Sequence, residues 1–360
     1  MKIADVEIYQ YALDLSQPFV SHAHSFKKRE GLIARLILPD GRSGVGDVAP
    51  LPGVSQENLK KALFQLKELR PFLFESDLPE DWAALRRMFA QEYFQLLCPS
   101  VAFGLQTAII HLLSIVQAQH PAAIFQGAKE NISVAGLVQG SPEEVAIQVK
   151  SLLKRKCQTF KLKVGDRNIP LDVKRFYALH DLLEPQHKIR LDVNRVWQLS
   201  EAVTFCKNIP RDRVEFIEEP AKNSDDLRAF VAQTGFDVAL DETLWNLPQE
   251  ESELLSSAKC LVIKPTMIGG ILKSLDWIDY AQQNRKSCVI SSSFESGVGT
   301  RLLAQLAALT TSDAGLGPSD WFANDLLGLL WEKDDYAIRL KDTAFGWPDL
   351  NQSLLSLVKI

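Results

Sequence analysis

From about residue 132 the chain repeats one pattern: a short apolar run, then an amphipathic stretch, then another run. Ile132 to Leu137 is the first run and Pro142 to Lys154 the first helical stretch. Five further runs each carry a polar residue near their ends: Phe160-Lys161-Leu162-Lys163-Val164, Ile189-Arg190-Leu191-Asp192-Val193-Asn194, Val214 to Pro220, Val238-Ala239-Leu240-Asp241-Glu242 and Leu261-Val262-Ile263-Lys264-Pro265. The step from Lys163 to Asp192, Glu218, Asp241 and Lys264 is roughly 23 to 29 residues, the length of one strand, helix and loop. A last run, Ser287 to Ser293, follows. Helices are predicted between them over 171–183, 200–207, 225–234, 270–283 and 298–310. Seven or eight such units fit an α/β fold of the (β/α)-barrel kind, whose strand ends converge on one mouth.

Side chains alternate along a strand, so residues two apart share a face. Lys161 and Lys163 then point the same way, as do Arg190, Asp192 and Asn194. Glu218 shares its face with Phe216, and Glu219 points away. Asp241 lies with Ala239 and Thr243, and Lys264 with Val262 and Thr266. The parity puts every polar residue but Glu219 in the lumen and the intervening apolar residues under the helices.

Residues 1 to about 125 lack this rhythm. Alternating strands over 3–13, 31–38 and 44–48 come first, with the turn Pro39-Asp40-Gly41 between the last two. Helical stretches over 56–69, 79–92 and 100–117 follow. Strands followed by helices predict a separate α+β domain. The boundaries read as 1–125 for this domain, 126–328 for the barrel and 329–360 for a tail that returns to the first domain. Tyr336 to Leu340 in that tail reads as one more strand.

Composition narrows the function little. The 360 residues carry a net charge of −5, against a nucleic-acid binder, which has a basic face. The N-terminus lacks a signal peptide's apolar core, and the most apolar stretch, Val101 to Val116, is broken by Gln106, Thr107, His111 and Ser114, as in a buried helix. Five dispersed cysteines point to reduced thiols in the cytoplasm; Cys260 and Cys288 read as small core residues.

The chemistry lies in the five recurring residues. Asp192, Glu218 and Asp241 supply three carboxylates with no His or Cys, a set that favours Mg²⁺, or Mn²⁺, over zinc. A cation there would hold a substrate carboxylate and absorb charge as the adjacent C–H loses its proton. A lysine acts as the base only when neutral, and the like charge of Lys161 beside Lys163 lowers its affinity for a proton. Lys264 stands on the other face. Singly, each residue has a plainer reading as a helix cap or an exposed strand face. Matched spacing and common parity make the joint reading.

This pattern resembles the enolase superfamily, in its muconate-lactonizing-enzyme-like branch, over nearly the whole chain. Lys161-Leu162-Lys163 matches the second-strand Lys-x-Lys, Asp192, Glu218 and Asp241 the metal acids, and Lys264 the sixth-strand lysine. Gly46 to Glu57, Pro99 to Gly104, Arg190 to Trp197, Ile263 to Thr266 and Ser291 to Ser296 resemble more narrowly the o-succinylbenzoate synthase family of menaquinone biosynthesis. Gly44-Val45-Gly46-Asp47 stands where that family often has Gly-Trp-Gly-Glu. The resemblance implies a modified (β/α)₇β barrel with an α+β cap completed by the C-terminal segment. It implies Mg²⁺-dependent syn dehydration of 2-succinyl-6-hydroxy-2,4-cyclohexadiene-1-carboxylate through an enediolate. Lys163 is then base and acid, Lys264 the opposite cation and Lys161 its neighbour. Arg190, Asn194, Leu51, Pro52, Gly53, Ser291, Ser292 and Ser293 then hold substrate, helped by the loop from His22 to Phe26; exposed loop residues are an equal reading of His22 and His24.

The same lysine pair serves N-succinylamino acid racemases and epimerases, so the alternative is a racemase; Pro50-Leu51-Pro52-Gly53 favours the synthase. A metal-binding barrel without catalysis is disfavoured because both lysines are intact. A phosphate-binding barrel leaves the lysines and acids unexplained. The implied partner is a small carboxylate, with no nucleic acid or membrane, and homo-oligomerisation is left open.

Overall fold

A computed structural model describes residues 1–21, 24–124, 128–166, 168–247, 253–330 and 335–359. Strands β1 (Asp5–Ser21), β2 (His24–Ile37) and β3 (Ser43–Val48) form an antiparallel meander. Its first hairpin is longer than the sequence pattern predicts, because Asp14 pairs with Lys28 and residues 19–21 pair with 24–26 rather than lying in a loop. Alternation is lost there, with a register shift between Asp14 and Phe19. Tertiary contact holds the extension: Phe19 stacks on Phe26 at 4.7 Å and meets the edge of Phe294 at 4.9 Å. His22 lies outside the described residues, as does the side chain of His24.

The helix Leu59–Leu73 starts where Asn58 accepts from the Lys61 N–H, and it runs through Pro71 past the predicted end. The helix Pro99–Val116 is long and apolar enough to cross a membrane by composition, yet 83% of it is buried in the fold. It lies against β3 at backbone contact. A Cβ on Gly46 would stand 1.8 Å from the Gly104 carbonyl oxygen, and one on Gly44 2.3 Å from that of Ala108. Glycine is required at both because a backbone cannot yield as a side chain can. Gly46→Ala is expected to destabilise by about 3 kcal/mol, the upper end for overpacking, read as a lower denaturant midpoint at unchanged slope. An unchanged midpoint would show that the helix can back away.

Strand β4 (Asn131–Ser133) precedes the barrel strands β5 (Gly136–Val138), β6 (Thr159–Lys163), β7 (Lys188–Asp192), β8 (Val214–Glu218), β9 (Val238–Leu240), β10 (Cys260–Ile263) and β11 (Ser287–Ile290). The last seven form one parallel sheet in sequence order. Bridges from Val134 to Ala314 and from Ser291 to Gly315 close the ring. The eighth stave is thus only Ala314-Gly315, too short for any hydrophobic pattern to reveal. Helices follow the strands over 142–154, 169–180, 199–206, 227–234, 271–283 and 297–307. The lumen is plugged by Phe216, Ala239, Cys260, Val262 and Val289, while Leu162, Leu191, Ile217, Leu240 and Ile263 pack outward under the helices. That is the parity read from the sequence.

The tail divides. Strand β12 (Ala337–Arg339) pairs with β4, whereas β13 (Leu355–Leu357) adds to the outer edge of β1. All five cysteines are buried and free.

Candidate active site

The polar residues meet at the C-terminal ends of the barrel strands because neighbouring strands are nearly in register. Lys163 stands beside Asp192, and Asp192 beside Glu218. Asp241 and Lys264 each lie one residue beyond their strands, which lifts them toward the mouth. Lys161, Lys163, Asp192, Glu218 and Lys264 form one end of a cavity of about 640 Å³, also lined by Asn194 and Glu242, with Asp241 buried behind Lys264. The far side is apolar: Phe19, Leu51, Val54, Leu137, Phe294 and Trp321.

Each carboxylate is turned to a lysine. Lys161 Nζ donates to Glu218 at 2.7 and 2.9 Å and reaches Asp192 at 2.8 Å. Lys163 Nζ donates to Asp192 Oδ2 at 2.6 Å and to Asn194 Oδ1 at 2.5 Å, and Asn194 Nδ2 donates to Glu242 at 3.0 Å. Lys264 Nζ donates to Asp241 Oδ2. Burial works against charge on Lys161 and Lys264, but Asp192 and Glu218 hold the Lys161 ammonium above its ordinary range, and Asp241 does the same for Lys264. Burial also works against the Asp192 carboxylate; Lys161, Lys163 and Lys264 outweigh it and hold that group well below the usual carboxylate range.

Among the described residues no three metal-ligating groups converge as a ready cage. The donor set still fits a hard divalent cation. It is all oxygen, its three acids are at most 1% exposed, and Asp241 Oδ1 is buried with no hydrogen-bond partner. A buried carboxylate oxygen left without a partner is costly, and burial pushes the Asp241 carboxyl up; a bound cation would meet both. Asp192, Glu218 and Asp241 are the residues that would hold Mg²⁺.

Glu219 was read as pointing away, and it does leave the lumen. It is fully buried, though, and sets the loop that carries Asp241: its carboxylate accepts from the backbone N–H of Asp241 at 2.9 Å and of Thr243 at 2.8 Å, and from the Thr243 hydroxyl at 2.8 Å. Thr243 therefore does not share the Asp241 face, because the strand ends at Leu240. Burial, then the charge of Glu242, pushes the Glu219 carboxyl up to about 7. Asn194 likewise owes its place to a left-handed turn, φ 48°, rather than to alternation. The doubled Glu218-Glu219 before Pro220 was the only sequence signal for this support.

The expected substrate contacts sort unevenly. Asn194, Leu51, Gly53 and Ser291 to Ser293 line the cavity, whereas Pro52 is exposed and absent from its wall. Arg190 lies on the floor with its guanidinium already engaged: Nε donates to Glu215 at 2.6 Å and Nη1 to the Asp313 carbonyl at 2.7 Å.

Comparison with known proteins adds to this geometry. Residues 144–349 match the family described as enolase C-terminal domain-like, and residues 3–112 match the MenC N-terminal domain. The o-succinylbenzoate synthase of Pasteurella multocida is 31% identical over 314 residues, 85% of this chain and 86% of its own length. That of Aliivibrio fischeri is 31% identical over 351 residues, 95% and 98% of the two chains. Among solved structures, the dipeptide epimerase of Enterococcus faecalis, complexed with Mg and a dipeptide, superposes with a TM-score of 0.85 at 19% identity, covering 94% of this chain and 97% of that one. At that identity the likeness is one of fold.

Proposed function

Since this chain belongs to the o-succinylbenzoate synthases of the enolase superfamily, we propose that Lys163 and Lys264 carry out its dehydration from opposite sides of one cavity. The reaction converts 2-succinyl-6-hydroxy-2,4-cyclohexadiene-1-carboxylate to o-succinylbenzoate and water, which makes the enzyme a hydro-lyase. Lys163 takes the α-proton on the face that bears the hydroxyl. The ammonium so formed gives its proton to the leaving hydroxyl, which departs as water. Lys264 stays charged, paired with Asp241, and its field favours the negative charge that grows on the substrate carboxylate. Asn194 fixes Lys163 through a chain that runs on to Glu242. Mg²⁺ bound by Asp192, Glu218 and Asp241 would supply Lewis-acid stabilisation worth several kcal/mol. Its presence in the Enterococcus epimerase and the all-oxygen donor set support that ion here. Five buried, free thiols support a reducing compartment, the cytoplasm.

The observation that carries this reading is the placement of two lysines, on strands separated by the three carboxylate strands, at one cavity. A base on each face also suits a racemase, so the test pairs two assays on the purified enzyme with Mg²⁺. Ultraviolet absorbance is expected to show fast conversion of the cyclohexadiene to o-succinylbenzoate. Polarimetry is expected to show little or no racemisation of N-succinyl amino acids. Efficient racemisation with slow dehydration would reassign the physiological substrate and keep the lysines.

A further inference from the structure

Arg29 is fully buried, yet among the described residues it pairs with no carboxylate. Its guanidinium donates only to backbone carbonyls: Phe294 at 2.9 Å, Pro50 at 2.8 Å, Glu30 at 2.8 Å, and Ala49. A buried charge is expensive to desolvate; four carbonyl dipoles in direct contact, and the nearby Asp47 carboxyl at longer range, are its compensation here. Those carbonyls come from three places in the chain: its own hairpin, the segment entering the loop after β3, and the loop after β11. The fully buried Asp47 stands beside this junction, accepting from Tyr11 Oη at 2.7 Å and from the Ser296 backbone and hydroxyl at 2.8 Å each.

Two further observations mark the junction as built for the cavity. Phe294 holds a left-handed backbone, φ 62°, which a bulky residue adopts only when its surroundings impose it. Its carbonyl is held by Arg29 and its N–H by Ser292 Oγ at 2.9 Å. The far end of the 49–57 loop is fixed as well, since the buried Glu57 accepts from the Ser100 N–H at 2.9 Å and hydroxyl at 2.5 Å. Between these anchors Leu51 packs with Phe294 and Trp321, and all three line the cavity.

We propose that Arg29 is a positioning residue of the dehydration: by tying Ala49 and Pro50 of the cap to Phe294 of the barrel, it sets the apolar wall of Leu51, Phe294 and Trp321 against which the substrate ring lies. This rests on the synthase reading above. The wall contributes to ground state and transition state alike, because it faces no reacting bond. Loosening it therefore raises KM and leaves the lysine chemistry in place.

The test compares Arg29→Met and Arg29→Lys with the unsubstituted enzyme, each with Mg²⁺. Arg29→Met is expected to raise KM about tenfold or more, the scale of a lost apolar contact, with kcat changed by less than about threefold. Tryptophan fluorescence titrated with o-succinylbenzoate should show a parallel rise in Kd. Arg29→Lys, which keeps the charge, should recover part of both. A purely structural role would lower the melting temperature and leave KM and Kd of the folded protein unchanged; that result, or failure of both variants to fold, would overturn the proposal. Failure of the synthase reading shows earlier and separately, in an unsubstituted enzyme that neither dehydrates the cyclohexadiene nor binds o-succinylbenzoate.

Discussion

Replacing Lys163 by alanine is expected to lower kcat for dehydration by at least about 10²- to 10⁴-fold, the contribution of a positioned general base, while the protein stays folded. The structure says why the second half should hold. Lys163 is 32% exposed, so its removal opens little cavity. Its carboxylate partner, Asp192, keeps Lys161 at 2.8 Å and is not left as an uncompensated buried charge. The same change at Lys264 is a poorer experiment. Asp241 would lose its contact ammonium inside the barrel, and breaking a buried pair costs about 3–5 kcal/mol. Loss of activity there would mix chemistry with unfolding. Ultraviolet assay of Lys163→Ala alongside circular dichroism separates the two; full activity in a folded variant would remove Lys163 from the mechanism.

Excess chelator is expected to bring turnover to background, and added Mg²⁺ to restore it, with the circular dichroism spectrum unchanged throughout. The unchanged spectrum is the informative part. In a structural metal site the ligands have no other partner, and the fold fails without the ion. Here Asp192, Glu218 and Asp241 each keep a lysine partner within the protein when the ion leaves, so the fold is expected to survive although Asp241 Oδ1 is then left without a partner. Undiminished turnover in chelator would end the Lewis-acid argument. Unfolding in chelator would mean that the lysines do not compensate the acids as the geometry implies.

How far the sequence could be read follows from what each feature depends on. Lys163, Asp192, Glu218, Asp241 and Lys264 were legible because strand period and repeat length are local properties. Residues that act from outside that period were not. Glu219 was set aside by parity, yet it holds the Asp241 loop through three hydrogen bonds. Arg190 shares the lumen face as predicted, but only the fold shows Glu215 and Asp313 waiting for its donors. The long hairpin and the two-residue stave at Ala314-Gly315 have no pattern of their own; contacts far away in sequence, Phe19 with Phe294 and Leu15 with Phe322 for the hairpin and Val134 with Ala314 for the stave, hold them as strands.

Strand β13 has a consequence for the order of assembly. Tyr9 pairs with Leu357, so the sheet that opens before the barrel is finished by a strand made after it. During synthesis the barrel units can dock one after another as they emerge. The N-terminal sheet meanwhile has an open edge along β1, a surface prone to pairing with other chains. Closing it joins residues at very long sequence separation, which slows folding. The slow phase of refolding should therefore belong to this sheet rather than to the barrel, and shortening the dwell of that open edge is where a chaperone would act.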